Sequence, residues 1–313
     1  TPTHLGLPQL RELLQLVQFW FPLDDHGEWS VEANPGDLTG EKAELLANAG
    51  VTRVSLGVQS LQDDKLQVLE RDHRRPQVER AIEQARRHFG ATAIDLIFAA
   101  PGETLTQWQY DLDVALNLGV QHLSVYGLTF EKGTPFWGKR QRDQLRQIDE
   151  ETEREMYLAA IDTLVQNDWE HYEISNFARA GFRCRHNEVY WKGQSYYAAG
   201  PGAARYVDGR RETNHRSTTT YLKRVLAGQS PVADSEQLSD EERAREQLVF
   251  RLRRLEGISR TEFVKQTGFE IDQLVGSQLA RFAQLGFIED QEDHVRLTRD
   301  GLLVSDSLWP EMI

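Results

Sequence analysis

The stretch SLGVQSLQDDKLQVLERDH, residues 55–73, reads as an apolar strand that closes on a glutamine and runs at once into a charged helical segment. By the period of two, Ser55, Gly57 and Gln59 share one face of that strand, and Ser30 and Glu32 share one face of an earlier strand, WSVEANPG, stopped by Pro35-Gly36. Working outward, the pattern repeats. LRELLQLVQFW sets Leu10, Leu13, Leu14 and Val17 at helical spacing. Thr39 suits an N-cap and Gly50 a C-cap of the helix before residue 55. A helix after Pro76, the strand AIDLIF, a helix through WQYDLDVALNL and the strand HLSVYGL follow in turn. Near-continuously apolar strands separated by helices predict parallel βαβ units with right-handed crossovers, covered on both faces.

Composition sets outer limits. With 313 residues, 39% hydrophobic and 27% charged, the chain is long enough for one large or two modest domains with a pocket. No run of eighteen apolar residues and no secretory leader is visible, which points to a cytoplasmic protein without a membrane span. A net charge of −13 disfavours nucleic acid and anionic lipid as bulk partners. The single cysteine, Cys184, supplies neither an internal disulfide nor a multi-thiolate metal site.

Polar side chains recur where these strands end. Glu32 closes the first, Gln59 the second, Asp95 sits within the third and Tyr126 near the end of the fourth, and the carboxyl ends of parallel strands are where such folds keep their sites. Each residue also has a structural reading: Glu32 as a turn cap, Asp95 as the partner of a helix-borne arginine, Arg71 as a solvated surface charge. Glu32 and Asp95 would equally serve a barrel hydrolase or lyase as acid and base.

The segments SVEANPGDLT, RVSLGVQSLQDDKLQVLERDH, AIDLIFAAPGETLTQW, HLSVYGLTFEKGTPF, HYEISNFA and HNEVYW together resemble radical S-adenosylmethionine proteins of the oxygen-independent coproporphyrinogen III oxidase-like family, nearly end to end. HYEISNFA, HNEVYW and GPGA resemble its heme chaperone branch. The resemblance implies a partial (βα) barrel, an α/β fold lacking its first units, with a winged-helix-like C-terminal domain. It implies a barrel over residues 1–140, an extension over 141–230 and the C-terminal domain over 231–313. It puts S-adenosylmethionine-binding positions at Thr1, Glu32, Gln59, Arg71, Asp95 and Thr129. The chemistry agrees: a carboxylate such as Glu32 suits the ammonium, a guanidinium such as Arg71 the carboxylate, and Asp95 or Gln59 the ribose diol. TPT at residues 1–3 resembles the end of the family's glycine-rich turn. The same resemblance implies heme or porphyrin as ligand and acceptor proteins as partners, with the oxidase, decarboxylating coproporphyrinogen III, as the alternative. A remnant acting as a binding scaffold is a further one.

The family holds a 4Fe-4S cluster on three closely spaced cysteines, and thiolates are what such a cluster needs. They would precede Thr1, so the cluster is expected only in an N-terminally complete protein, and no metal site in this chain. Two smaller departures are Ala99-Ala100, where the family usually shows Gly-Leu, and Ala204, where histidine is more usual. In GFRCRHNEVYWKGQSYYAAGPGAARY, the residues His186, Asn187, Tyr190 and Trp191 are the heme candidates, with Cys184 a second axial possibility. The alternative is a packed corner with hydrogen-bonded His186. From residue 231, SDEE and SRTE read as capping boxes, and FIEDQEDHVRLT as a hairpin between helices. That winged-helix-like order carries 10 Lys and Arg against 17 Asp and Glu, so it reads as a packing or partner-docking module, not a DNA binder.

Overall fold

A computed structural model describes residues 1–24, 26–130, 135–142 and 145–313. Residues 131–134 of the FEKGTPF stretch lie outside the described residues. The chain forms two compact units, Thr1–Cys184 and Arg185–Ile313.

The first unit opens with a short 3-10 turn, Pro2–His4, and helix α1 (Leu7–Trp20). Strand and helix then alternate: β1 (Ser30–Ala33), α2 (Gly40–Asn48), β2 (Arg53–Gln59), α3 (Asp63–Val68), α4 (Arg75–His88), β3 (Ala91–Phe98), α5 (Leu105–Leu116) and β4 (His122–Gly127). After α6 (Pro135–Gln141) and α7 (Glu150–Gln166), the short strands β5 (Glu170–Glu173) and β6 (Asn176–Ala178) return. The sheet order is β1-β2-β3-β4-β6-β5. The first four strands are parallel, as the alternation requires, while β6 pairs antiparallel with β4 and with β5.

Local chemistry sets the ends of these elements. Thr39 accepts from the Lys42 amide to start α2, and Gly50 follows its end at a φ of +94°, where a side chain is disfavoured. Thr104 and Gln107 exchange capping bonds at the start of α5. On the helix-covered face of the sheet, Val54, Leu56, Val58, Ile94, Leu96, Leu123 and Val125 are buried in one core with Val78, Ile82, Trp108 and Leu112. Alternation along each strand turns Ser55, Gly57, Gln59 and Asp95 to the opposite, open face.

The second unit begins with α8 (Arg185–Trp191), followed by β7 (Ala204–Val207), β8 (Arg210–Asn214), α9 (Thr218–Leu226) and β9 (Val232–Gln237), whose strands form an antiparallel sheet in the order β7-β8-β9. Then come α10 (Asp240–Leu252), β10 (Ile258–Ser259), α11 (Arg260–Thr267), α12 (Ile271–Gln284), β11 (Ile288–Asp290), β12 (His294–Leu297), α13 (Arg299–Leu303) and α14 (Ser305–Leu308). Ser239 and Ser259 cap α10 and α11 as the sequence indicates, and the hairpin gains β10 as a third strand in the order β10-β12-β11. Among the described residues no helix is long and apolar enough to cross a membrane.

Candidate functional site

A polar row crosses the open face of the first unit's sheet. Glu32 pairs in register with Ser55, Asp95 with Ser124, Ser124 with Asn176, and Asn176 with Glu173. Ser55 Oγ donates to Asp95 Oδ1 across 3.3 Å, and Ser124 also hydrogen-bonds Asp95. Burial raises the Asp95 carboxyl to about 6; the charge of Glu32 adds to the rise, and the two serines partly offset it. Tyr126 is pushed up to about 12 by burial and then by the Asp95 carboxylate. With 42% of that residue open to solvent, the neighbouring carboxylates account for the direction more than burial does. Carboxyl groups held this way attract a cationic ligand, which would draw Asp95 into its ionised form.

Gln59 answers the question raised by the strand it closes. Between Leu56 and Gln59 the pairing register slips, so β2 carries a bulge there and Gln59 stands opposite Leu96. Gln59 takes a φ of +69°, a left-handed conformation unusual outside glycine. Its amide folds back over Gly57, where an added Cβ would lie 3.1 Å from Gln59 Nε2 and 4.0 Å from Asn34 Oδ1. The α3–α4 connection is tied to the same strand end: buried His73 bonds the Val58 carbonyl at 2.9 Å, and Arg74 Nη1 donates to the Arg71 carbonyl at 2.5 Å. Arg71, held between them, has a buried Nε without a hydrogen-bond partner.

Thr1 is exposed at the turn that packs on β1, where Lys42 Nζ donates to the Thr3 carbonyl at 2.5 Å. Thr129 is exposed just past the end of β4, where the Leu128 amide donates to the Phe98 carbonyl at 2.9 Å. Gln59 thus closes β2 and Thr129 follows β4, Glu32 and Asp95 lie within β1 and β3, and Thr1 and Arg71 stand on segments outside the strands. Among the six, electrostatic coupling joins Glu32 to Asp95, Gln59 lies over Gly57 near Asn34, and Arg71 is held by the Arg74 guanidinium on the α3–α4 connection. Ala99, the residue after β3, has a φ of +59°, a conformation that suits glycine and strains alanine.

In the second unit, His186, Asn187, Tyr190 and Trp191 lie on α8, which buries none of its residues. The exposed His186 ring meets Tyr190 edge-on at 5.0 Å, with Nε2 and the phenol oxygen 3.2 Å apart. Tyr190 continues edge-on to Tyr196 at 4.7 Å, and Tyr196 meets Tyr206 in a tilted contact at 6.2 Å. Trp191 packs on Phe250 beneath the Arg253 guanidinium. Cys184 differs: its thiol is buried in the first unit and faces Glu28 at 3.7 Å, away from solvent.

Comparison with known proteins identifies the scaffold. Residues 2–115 match the model of the radical SAM superfamily, and residues 238–304 that of the HemN C-terminal domain. The chain is 35% identical over 311 residues to a Bacillus subtilis protein named heme chaperone HemW, covering 99% of this chain and 82% of that protein. The chain belongs to the HemW family. Another HemW, from Escherichia coli, is 31% identical over 98% of this chain and 80% of its own length. The solved structure of coproporphyrinogen III oxidase, HemN from Escherichia coli, superposes with a TM-score of 0.86 at 18% identity, covering 100% of this chain and 75% of that one, which establishes the shared fold.

The radical SAM family implies two groups, and this HemW-family chain treats them differently. The residues fit S-adenosylmethionine: Arg71 Nε is buried and unbonded, Gly57 leaves room for Gln59, and the paired carboxylates await a cation. They do not furnish a cluster site, since the chain has one cysteine, and among the described residues no group of three or more His, Cys, Asp and Glu could hold a metal. The sequence reading overlooked Ser124, Glu173 and Asn176, which complete the polar row. Glu173 and Asn176 lie inside HYEISNFA, and only the antiparallel return of β5 and β6 aligns them with Asp95.

Proposed function

We propose that this chain is a heme chaperone: it binds heme on its second unit and passes it to acceptor proteins, with S-adenosylmethionine on the open face of the first unit's sheet. The observation that carries this reading is the 35% identity, sustained over 99% of the chain, to a protein named heme chaperone. The 18% identity to HemN carries the fold alone, so nothing favours the oxidase in its place.

Glu32 takes the ligand's ammonium and Arg71 its carboxylate, while Gln59 and Asp95 address the ribose hydroxyls and the positive field of the sulfonium. When bound, S-adenosylmethionine would supply a sulfonium whose carbon–sulfur bonds are activated for cleavage. Exposed His186 offers an imidazole to heme iron, and the neighbouring Tyr190 and Tyr196 offer aromatic rings to the macrocycle. Heme titration of the full chain tests this. A shifted Soret band that is weakened in His186→Ala supports the assignment, an unchanged band in that variant moves the ligand elsewhere, and no shift with the wild type removes the chaperone reading.

A further inference from the structure

Beneath the rim of the sheet lies a buried charge cluster that no ligand contact explains. Lys65, Glu103 and Asp111 are 7%, 7% and 0% exposed. Lys65 Nζ pairs with Glu103 and, at 3.0 Å, with Asp111, and stands 4.9 Å over the Trp108 ring. Each carboxylate also grips one strand-to-helix connection. Asp111 accepts from Ser60 Oγ at 2.8 Å and from the Leu61 amide at 2.9 Å, just after β2. Glu103 accepts from the Ala100 amide at 3.0 Å, just after β3. Gln62 reinforces the first connection by donating to the Gln107 carbonyl on α5 at 2.8 Å.

Gln59 immediately precedes Ser60, whose hydroxyl Asp111 accepts, and Ala99 immediately precedes the gripped Ala100 amide; both adopt left-handed backbone, at φ of +69° and +59°. Such conformations at non-glycine residues persist only where the surroundings over-determine them, and they gather at binding rims. Two neighbouring strands thus lead into left-handed backbone, each connection is held by a carboxyl group, and one ammonium bridges the two. A buried ion cluster of this kind adds little net stability but strongly fixes geometry, because removing one member leaves uncompensated charge inside.

We propose that Lys65 is a positioning residue: by joining Asp111 to Glu103 it locks the connections after β2 and β3 together and so sets the Gln59 carboxamide over Gly57 for the ligand. The assignment rests on the S-adenosylmethionine reading for its ligand, while the lock itself is a property of the apo chain. Lys65 touches no ligand position and acts through Gln59.

Hydrogen exchange and calorimetry on the full chain separate the two. In Lys65→Met, exchange at the Leu61 and Ala100 amides rises about tenfold or more, while that of Leu56 and Ile94 within the strands is unchanged. Binding of S-adenosylhomocysteine weakens by about tenfold, yet the same substitution in a Gln59→Ala background costs less than about twofold, since the two act through one contact. Independent, multiplicative losses, or unaltered exchange at Leu61 and Ala100, overturn the proposal. Should Lys65→Met fail to fold, Glu103→Gln keeps an acceptor for Ala100 and removes one charge; the same exchange pattern, smaller in size, is then expected, and its absence overturns the lock. A wild-type chain that binds no S-adenosylhomocysteine sinks the nucleoside reading, and the exchange data still decide the lock.

Discussion

Ser55 and Asp95 join β2 to β3 on the open face through a 3.3 Å hydrogen bond, with Glu32 close enough to oppose ionisation of Asp95. An aspartate raised to about 6 in the folded chain binds a proton there that the unfolded chain, titrating near 3.8, has already lost. Asp95 therefore lowers apo stability as pH rises from about 4 to about 6. Ligand affinity runs the other way, because a cation prefers the ionised carboxylate. Binding of S-adenosylmethionine is expected to strengthen several-fold from pH 5.5 to 7.5 and to lose that dependence in Asp95→Asn. Calorimetry at the two pH values checks this, and a flat wild-type profile counts against Asp95 as a ligand.

Gly57 owes its identity to Gln59. In Gly57→Ala the new methyl would press on Gln59 Nε2 from 3.1 Å, at the free end of a flexible side chain. The amide gives way and the fold survives. Thermal stability should change by less than about 1 kcal/mol, while nucleoside affinity drops several-fold. Equal losses in both would assign Gly57 to packing alone.

Ala99 is buried, yet its left-handed backbone offsets the value of its methyl group. Ala99→Gly trades about 1–2 kcal/mol of backbone strain against a similar loss of packing and chain entropy, so it should fall near neutral. Ala81→Gly, equally buried inside α4, has no strain to relieve and should cost about 1–2 kcal/mol. Urea unfolding of the two variants side by side makes the comparison.

The second unit provides a contrast between glycines. Gly301 on α13 lies so close to the Phe287 carbonyl that an added Cβ would overlap its oxygen, a backbone atom that cannot swing aside as a side chain can. Gly301→Ala should destabilise by more than about 2 kcal/mol. Gly276→Ala on α12 meets only Asp272 Cβ at 3.5 Å and should be neutral or stabilising by up to about 1 kcal/mol. Calorimetric melting of both variants tests this; similar melting temperatures would contradict the close approach at residue 301.

The parallel strands and their caps were legible because hydrophobic period and turn chemistry are local: Val54, Leu56 and Val58 announce a strand, and Thr39 announces a helix. The shared open face of Ser55, Gly57 and Gln59 followed from that alternation. What was not legible depends on pairing between distant segments. The β5–β6 return brings Glu173 and Asn176 into line with Asp95 from about eighty residues away, and no local period encodes an antiparallel neighbour. The sheet of β7, β8 and β9 was hidden for a related reason. Its strands are rich in Arg, Glu and Asp, and cross-strand ion pairs such as Arg211 with Glu236 take the place of an apolar alternation. The left-handed turn at Gln59 left no trace either, since glutamine does not advertise it as glycine would.

The strict division of labour along β2 has an evolutionary consequence. Residues 54, 56 and 58 are committed to the core while 55, 57 and 59 face the open side, so exchanges on the open side leave the core packing in place. A scaffold divided in this way can trade one small-molecule preference for another by a few exchanges on the recognition side, with its thermodynamic reserve intact.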